Sequence, residues 1–535
     1  MTLHVSHLDA ALGQGRSVAR EAVRLGVELA KIAVGTSTVA PAAVDRRFAD
    51  PAWSENPMYR RLAQVYLAWA AGVGRVADDL DTNGADWRTV ERGRLAASIL
   101  VSALAPTNTV WGNPAALKHA FDTGGASLAR GFQNWLDDLQ HNDGMPSQTN
   151  RDEFQVGRDL AVTPGSVIMR DERAELLQYA PSTEKVMSRP VLIVPPPIGR
   201  YYFLDLRPGR SFVEHAVGRG LQTFMLSWRN PSAEQGAWDM TDYAAAILDA
   251  IDAVREVTQS EDVNLMGFCA GGLITTAVLN HLAEKGDRPV RSVSYAVTLL
   301  DFSVPAPIGA FSSRAVLDLA RRNSEREGVI TARSMGSVFT WMRPDDLVFK
   351  YWVNNYLMGE KPPTFDILAW NADGTNLPAA LHAQFLEIFA SNSLCRPGAM
   401  TVLGSPIDLS RISLPKFVTG AVTDHLTPWK GCYQTTQLID GPTTFVLSNA
   451  GHIASLVNPP GNPKASYYTG GAPGPDPEAW LASANQHTGS WWEAWANWIT
   501  KQSGALKLAP ARLGSRKHKP DGPAPGLYVR DLAPI

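Results

Sequence analysis

Cysteine is scarce in this chain: Cys269, Cys395 and Cys432 are the three thiols in 535 residues. That excludes a disulfide-stapled scaffold and points to thiols in a reducing compartment. No run of 18 apolar residues occurs, so no segment reads as a membrane span. The opening MTLHVSHLDAALGQGRSVAR lacks the basic stretch and apolar core of a signal peptide, so the expected address is the cytoplasm. An excess of one charge is missing too. The 49 basic and 52 acidic residues leave a net charge of −3, which argues against nucleic acid as the main partner. Internal repeats are absent. With 45% hydrophobic residues the chain is globular, and its length allows two to three domains or one large α/β domain with extensions.

What is present changes in texture along the chain. Residues 1–180 read as helical: NPMYRRLAQVYLAWAAGVGRVADDL and NPAALKHAFDTGGASLARGFQNWLDDLQ carry apolar residues at i, i+3, i+4 spacing. The stretch DGMPSQTNRDE separates these helices from the rest of the chain. Residues 181–535 then bring short β-branched runs, VLIVPPP, LQTFMLSW, VNLMGF, VRSVSYAVTLL, FVTGAV and TTFVLSN, with helices between most of them. Continuous apolar strands alternating with helices predict an α/β fold, a mostly parallel sheet covered on both faces. An aromatic- and proline-rich segment at about 303–400 interrupts the alternation and is expected to be an inserted cap or lid. Trp491, Trp492, Trp495 and Trp498 fall at helical spacing, as a stripe docked on the core would. The tail 508–535 is predicted to pack as a strap or to fray.

The chemistry concentrates at VNLMGFCAGGLITTAVLNHLA. Strand 263–268 runs into Gly267-Phe268-Cys269-Ala270-Gly271 and then directly into a helix. This is the nucleophile elbow of α/β-hydrolase folds, G-x-S-x-G, with cysteine in place of serine. Composition alone predicts about 0.02 matches to G-x-C-x-G in the whole chain. The glycines suit a sharp turn with backbone on both sides. The turn puts Cys269 at a helix N-terminus, where the dipole favours negative charge, and aims the Ala270 N–H at a developing oxyanion. The other reading, a cysteine packed as a small hydrophobe, is assigned instead to Cys395 and Cys432, which have no elbow and no nearby base.

An elbow nucleophile needs an acid and then a base further along the chain. FVTGAVTDHLTPW supplies Asp424 after a late strand, and TTFVLSNAGHIASLVNPP supplies His452 after the last one. Asp440 and Asp408 are weaker competitors for the acid, and His425 is expected to be structural. The second oxyanion donor should come just after the first core strand. Pro195, Pro196 and Pro197 have no N–H, leaving Ile198 or Gly199, with Ile198 preferred. A thiolate can take an acyl group from a thioester almost isoenergetically, which suits acyl-coenzyme A. The triad itself serves hydrolysis as well as transfer.

Beyond the elbow, long segments resemble the polyhydroxyalkanoate synthases. They include NPAALKHAFDTGG, DGMPSQTN, LIVPPPIGRYYFLDLRPGRS, TFMLSWRNP, NLMGFCAGG, WMRPDDLVFKYWVNNYLMG, FDILAWNADGTNLP, DHLTPW, FVLSNAGHIASLVNPPGNPKASYY, GSWWEAWANWI and GPAPGLYVRDL. The likeness is greatest to the single-component branch associated with medium-chain monomers. The resemblance implies an acyltransferase that polymerises 3-hydroxyacyl-coenzyme A and releases coenzyme A. Cys269 matches the nucleophile and His452 the base. Asp424 matches the third member, which either orients His452 or helps activate the attacking hydroxyl. No metal or cofactor is implied, since coenzyme A enters as part of the substrate. The resemblance further implies a homodimer, a cap controlling access, and work at the surface of cytoplasmic polyester granules. One departure stands out: the family often has Ile-Asn-Lys after the prolines, where this chain has Ile198-Gly199-Arg200. The alternatives are a thioesterase or intracellular polyester depolymerase on the same fold, and a non-catalytic granule-coating protein.

Overall fold

Asparagine followed by proline opens two helices of the N-terminal region in the computed structural model, which describes residues 2–150 and 153–531. After α1 (Thr2–Val34), α2 (Pro57–Thr82) begins where the Asn56 side chain accepts from the Met58 N–H, with Pro57 at the first position. α3 (Trp87–Ala103) starts on Asp86 in the same way. α4 (Pro114–Asp122) starts on Asn113 and Pro114, and α5 (Ala126–His141) comes next. Such caps satisfy otherwise orphaned N–H groups and cost nothing in φ where proline stands first. Phe48, Trp53, Tyr59, Ala63 and Tyr66 form the aromatic core beside α2. This compact unit also takes in Pro307–Ser313 and Gly336–Phe365. Within it Tyr356 donates to the buried Asp138 at 2.7 Å, and Arg47 pairs with Asp345 at 3.1 Å.

The second unit, Arg151–Ala306, Arg314–Met335 and Asp366–Ile535, is built on a ten-stranded sheet. Its strands are β1 (Gly165–Arg170), β2 (Ala174–Tyr179), β3 (Val191–Val194), β4 (Thr223–Trp228), β5 (Val263–Phe268), β6 (Val290–Ala296), β7 (Lys416–Ala421), β8 (Thr443–Ser448), β9 (Ser466–Thr469) and β10 (Asn485–Thr488). They lie in the order β1-β2-β4-β3-β5-β6-β7-β8-β9-β10. From β4 to β8 the neighbours are parallel. Every residue of β3 and β5 is buried, as continuous apolar strands require when helices cover both faces. Those helices include α6 (Met240–Thr258), with Tyr243, Ile247, Ile251 and Val254 buried on one face, and α7 (Ala270–Lys285). α8 (Trp429–Leu438) packs on β7, and α9 (Trp491–Gln502) buries Trp491, Trp492 and Trp495 in the core.

Two expectations about boundaries move. The helical region ends at Asn150 rather than at 180, because residues 165–179 are the hairpin β1-β2, which adds antiparallel to β4. The strands β9 and β10, which no apolar run announces, close the opposite edge antiparallel to β8. The insertion between β6 and β7 is present, but it is not a unit of its own. Contacts divide it between the helical unit and the sheet unit. The tail is a strap: Leu506–Leu508 pairs with Lys185–Met187, and the described residues beyond it run along β1 and β2. Residues 151–152 of the expected linker and 532–535 of the tail lie outside the described residues.

Candidate active site

Cys269 sits between the end of β5 and the start of α7 with φ +48° and ψ −123°, a conformation that non-glycine residues rarely adopt. Its N–H donates to the Ala296 carbonyl at 2.9 Å, and its own carbonyl accepts from Thr298 Oγ1 at 3.2 Å. Val297, beside it, is also held at positive φ, +44°. The glycines are there because backbone closes in around the turn. A Cβ at Gly267 would lie 2.6 Å from Gly272 Cα, and one at Gly271 would lie 2.5 Å from the Val194 carbonyl oxygen and 2.6 Å from that of Pro195. Neither neighbour can swing away. Gly271→Ala is expected to cost about 3 kcal/mol in urea unfolding, while a cost below about 1 kcal/mol would show that the elbow yields.

Asp424 and His452 meet as their order in the chain predicted. His452 Nδ1 lies 2.7 Å from Asp424 Oδ2, with both residues almost fully buried. Oδ1 of Asp424 accepts the Leu426 and Thr427 N–H groups at 2.8 and 2.9 Å, which fixes the carboxylate. Thr427 Oγ1 donates to Oδ2 at 2.8 Å and stands 3.1 Å from His452 Nδ1. Since Oδ2 is an acceptor, Nδ1 carries a proton and Nε2 is the nitrogen left over for Cys269, which lies close enough to favour charge on the imidazole. Thr427 was missed in the sequence. Its signal is the D-x-x-T spacing, an Asp whose side chain caps the turn two and three residues on.

Burial alone would raise the Asp424 carboxyl, but His452 and then the Thr427 hydrogen bonds outweigh it and hold it below the usual range. Burial likewise opposes charging His452, yet Asp424 and then Cys269 raise it to about 10. Its folded value thus exceeds the ordinary value near 6.5. The resulting stabilisation is fully present below about pH 6.5 and is lost as pH rises through about 10. The gap in thermal midpoint between wild type and His452→Gln should therefore be wider at about pH 6 than at about pH 10. A gap that widens with pH would contradict the assignment.

The loop after β3 lies against the elbow, as the Gly271 contacts require. Trp228 Nε1 donates to the Pro195 carbonyl at 2.9 Å and Thr375 Oγ1 to that of Pro197 at 2.9 Å. The Gly199 N–H is committed to Thr375 Oγ1 at 2.8 Å. Among the described residues neither the Ile198 nor the Ala270 N–H has an intramolecular acceptor. Trp370 closes over this loop: its Nε1 donates to the Arg200 carbonyl at 2.7 Å, and its ring lies 5.2 Å from that of Phe203. His452 is backed from below by α9, where Trp491 Nε1 donates to the Ser455 carbonyl at 2.8 Å, one turn along from the histidine.

The remaining candidates separate from this cluster. Asp408 caps the turn at Leu409–Arg411, and Asp440 precedes β8, at the strand end opposite His452. Cys395 donates to the Leu300 carbonyl at 3.5 Å, and burial pushes its thiol up to about 12. Cys432 is wholly buried on α8 behind the acid loop, with its sulfur on the Thr427 carbonyl at 3.4 Å, and burial drives its thiol far up. His425 is half-buried next to the acid. Among the described residues no group of three His, Cys, Asp or Glu side chains is placed to hold a metal ion, and no helix is long and apolar enough to cross a membrane.

Comparison with known proteins agrees with the fold. Residues 205–459 match the family model described as the alpha/beta hydrolase fold, and residues 44–216 match the N-terminus of poly-beta-hydroxybutyrate polymerase. The chain is 43% identical over 531 residues to poly(3-hydroxyalkanoate) polymerase 1 of Ectopseudomonas oleovorans, covering 97% of this chain and 94% of that one. Polymerase 2 of the same organism is also 43% identical, over 96% and 93% of the two chains. The poly(3-hydroxyalkanoate) polymerase subunit PhaC of Cupriavidus necator is 40% identical over 91% and 83%. Similarity of this extent reaches through the helical region, the insertion and the sheet alike, and so the chain belongs to the poly(3-hydroxyalkanoate) polymerases, acyltransferases on an α/β-hydrolase fold.

Proposed function

We propose that the chain polymerises 3-hydroxyacyl-coenzyme A thioesters through an acyl-Cys269 intermediate and releases coenzyme A. The observation that carries this is a thiol on a strained elbow facing a histidine whose far nitrogen is held 2.7 Å from a buried carboxylate. His452 Nε2 holds the proton shed by the Cys269 thiol, and the sulfur attacks the thioester carbonyl as a thiolate. The Ala270 and Ile198 N–H groups receive the oxyanion. Collapse breaks the bond to the coenzyme A sulfur, which leaves with the proton from His452. A hydroxyl of a bound acyl unit then gives its proton to His452 and attacks another thioester carbonyl. An ester bond forms, a carbon–sulfur bond breaks, and the sulfur released takes the proton.

Asp424 serves this scheme by holding His452 in one tautomer. What supports orientation over direct activation of the hydroxyl is that all the Asp424 contacts are spent inside the protein. The family likeness further carries a homodimer, a controlling insertion and work at the surface of cytoplasmic granules into this reading. Purified protein given 3-hydroxyacyl-coenzyme A should release one free thiol per monomer consumed and deposit insoluble polyester. Soluble hydroxy acids as the main product would put a thioesterase or depolymerase in its place.

A further inference from the structure

Arg200 comes directly after the oxyanion loop, and at 2% exposure it is a buried cation that the acyl-transfer scheme does not use. Its three nitrogens reach two separate parts of the chain, the Asp373 loop and the C-terminal segment. Nε donates to Asp373 Oδ1 at 3.2 Å, Nη1 to the Tyr528 carbonyl at 2.9 Å, and Nη2 to the Asp531 carbonyl. Asp373 is itself steadied by the Tyr202 hydroxyl at 3.0 Å. A planar guanidinium presents its donors in a fixed fork and can hold such a set at once, whereas an ammonium acts as a point charge.

The segment that Arg200 grips is anchored on its own account. Glu175, fully buried in β2, accepts the Leu527 and Tyr528 N–H groups at 2.9 and 3.0 Å and Arg170 Nε at 2.7 Å. The Tyr528 hydroxyl donates back to the Asp171 carbonyl. The loop itself needs such support. Three prolines deprive it of donors, and among the described residues its hydrogen bonds run through carbonyl oxygens and the Gly199 N–H.

We propose that residues 526–531 form a strap that acts through Arg200 to hold the Ile198 N–H where it meets the oxyanion. Arg200 is then a positioning residue for acyl transfer, and Glu175 is the anchor of the strap. The inference rests on the acyl-Cys269 reading. A donor displaced by roughly 1 Å loses on the order of a hundredfold in rate while leaving ground-state binding almost untouched.

The test compares wild type, Arg200→Met and Glu175→Gln in the full chain. It measures kcat and KM for coenzyme A release, and the rate of Cys269 alkylation by iodoacetamide, tracked on the Cys269 peptide by mass spectrometry. Alkylation uses the thiol and His452 but no oxyanion donor, so it reports a misfolded site and ignores a displaced loop. Arg200→Met should lower kcat by about 10- to 100-fold and Glu175→Gln by at least about threefold, with KM and alkylation each within about threefold of wild type. Wild-type kcat in either variant overturns the strap, and so does a fall in alkylation that matches the fall in kcat. If wild-type protein itself releases no coenzyme A, the acyl-Cys269 reading fails first and the strap falls with it.

Discussion

Cys269→Ala protein is expected to release coenzyme A no faster than the uncatalysed background, a loss of at least about 10⁴-fold. The acyl group has no second thiol to go to. Cys432 is sealed behind the acid loop with its sulfur on the Thr427 carbonyl, and Cys395 is turned onto the Leu300 carbonyl. Burial keeps both thiols protonated, whereas a nucleophile must shed its proton. The fold should survive. Alanine removes only the sulfur from a half-buried side chain, and its backbone strain at φ +48° matches that of cysteine. A thermal midpoint within about 2 °C of wild type should therefore accompany the loss of turnover. Coenzyme A release within tenfold of wild type would remove Cys269 from the mechanism, however the protein folds.

Asp424→Asn should be nearly as severe, about 10³- to 10⁴-fold in kcat, although it changes one atom. Oδ1 accepts two backbone N–H groups, so the asparagine must keep its oxygen there and put its NH₂ in place of Oδ2. That NH₂ then faces His452 Nδ1 and the Thr427 hydroxyl. It can only donate, so Nδ1 must accept and the imidazole proton moves to Nε2, where it blocks uptake of the thiol proton. The negative charge that raises His452 disappears with it. Coenzyme A release in a single turnover should fall as far as kcat, because the first proton transfer already fails. If acylation stays at the wild-type rate while polymer growth stops, Asp424 activates the attacking hydroxyl instead.

The elbow could be read in the sequence because its constraint is local. A glycine on each side of Cys269, a strand before and a helix after are consequences of backbone crowding within a few residues, and the Gly267 and Gly271 contacts bear this out. Asp424 and His452 were legible through order: the carboxyl ends of parallel strands gather on one rim, so loops after β7 and β8 must converge on the loop after β5. The hairpin β1-β2 was not read, since its partner β4 lies some fifty residues away and only that pairing makes it a strand. Strands β9 and β10 hide for a further reason. Their residues are half-buried or exposed at a sheet edge and show no apolar run.

By itself, then, the sequence picked out the elbow at Cys269, the Asp424 and His452 that meet in the fold, the parallel sheet beneath them and the tryptophan stripe of α9, all set by turn chemistry, chain order or helical period. Only the tertiary structure decided which of Ile198 and Gly199 keeps a free N–H, that Thr427 braces both Asp424 and His452, and that the tail reaches back to Arg200. Each of these depends on hydrogen bonds between residues brought together by folding, and no local pattern in the chain encodes such a partner. The cysteines show the division most simply. Their number excluded a disulfide scaffold, the glycines around Cys269 marked it out, and packing disposed of the other two by burying their sulfurs on backbone carbonyls.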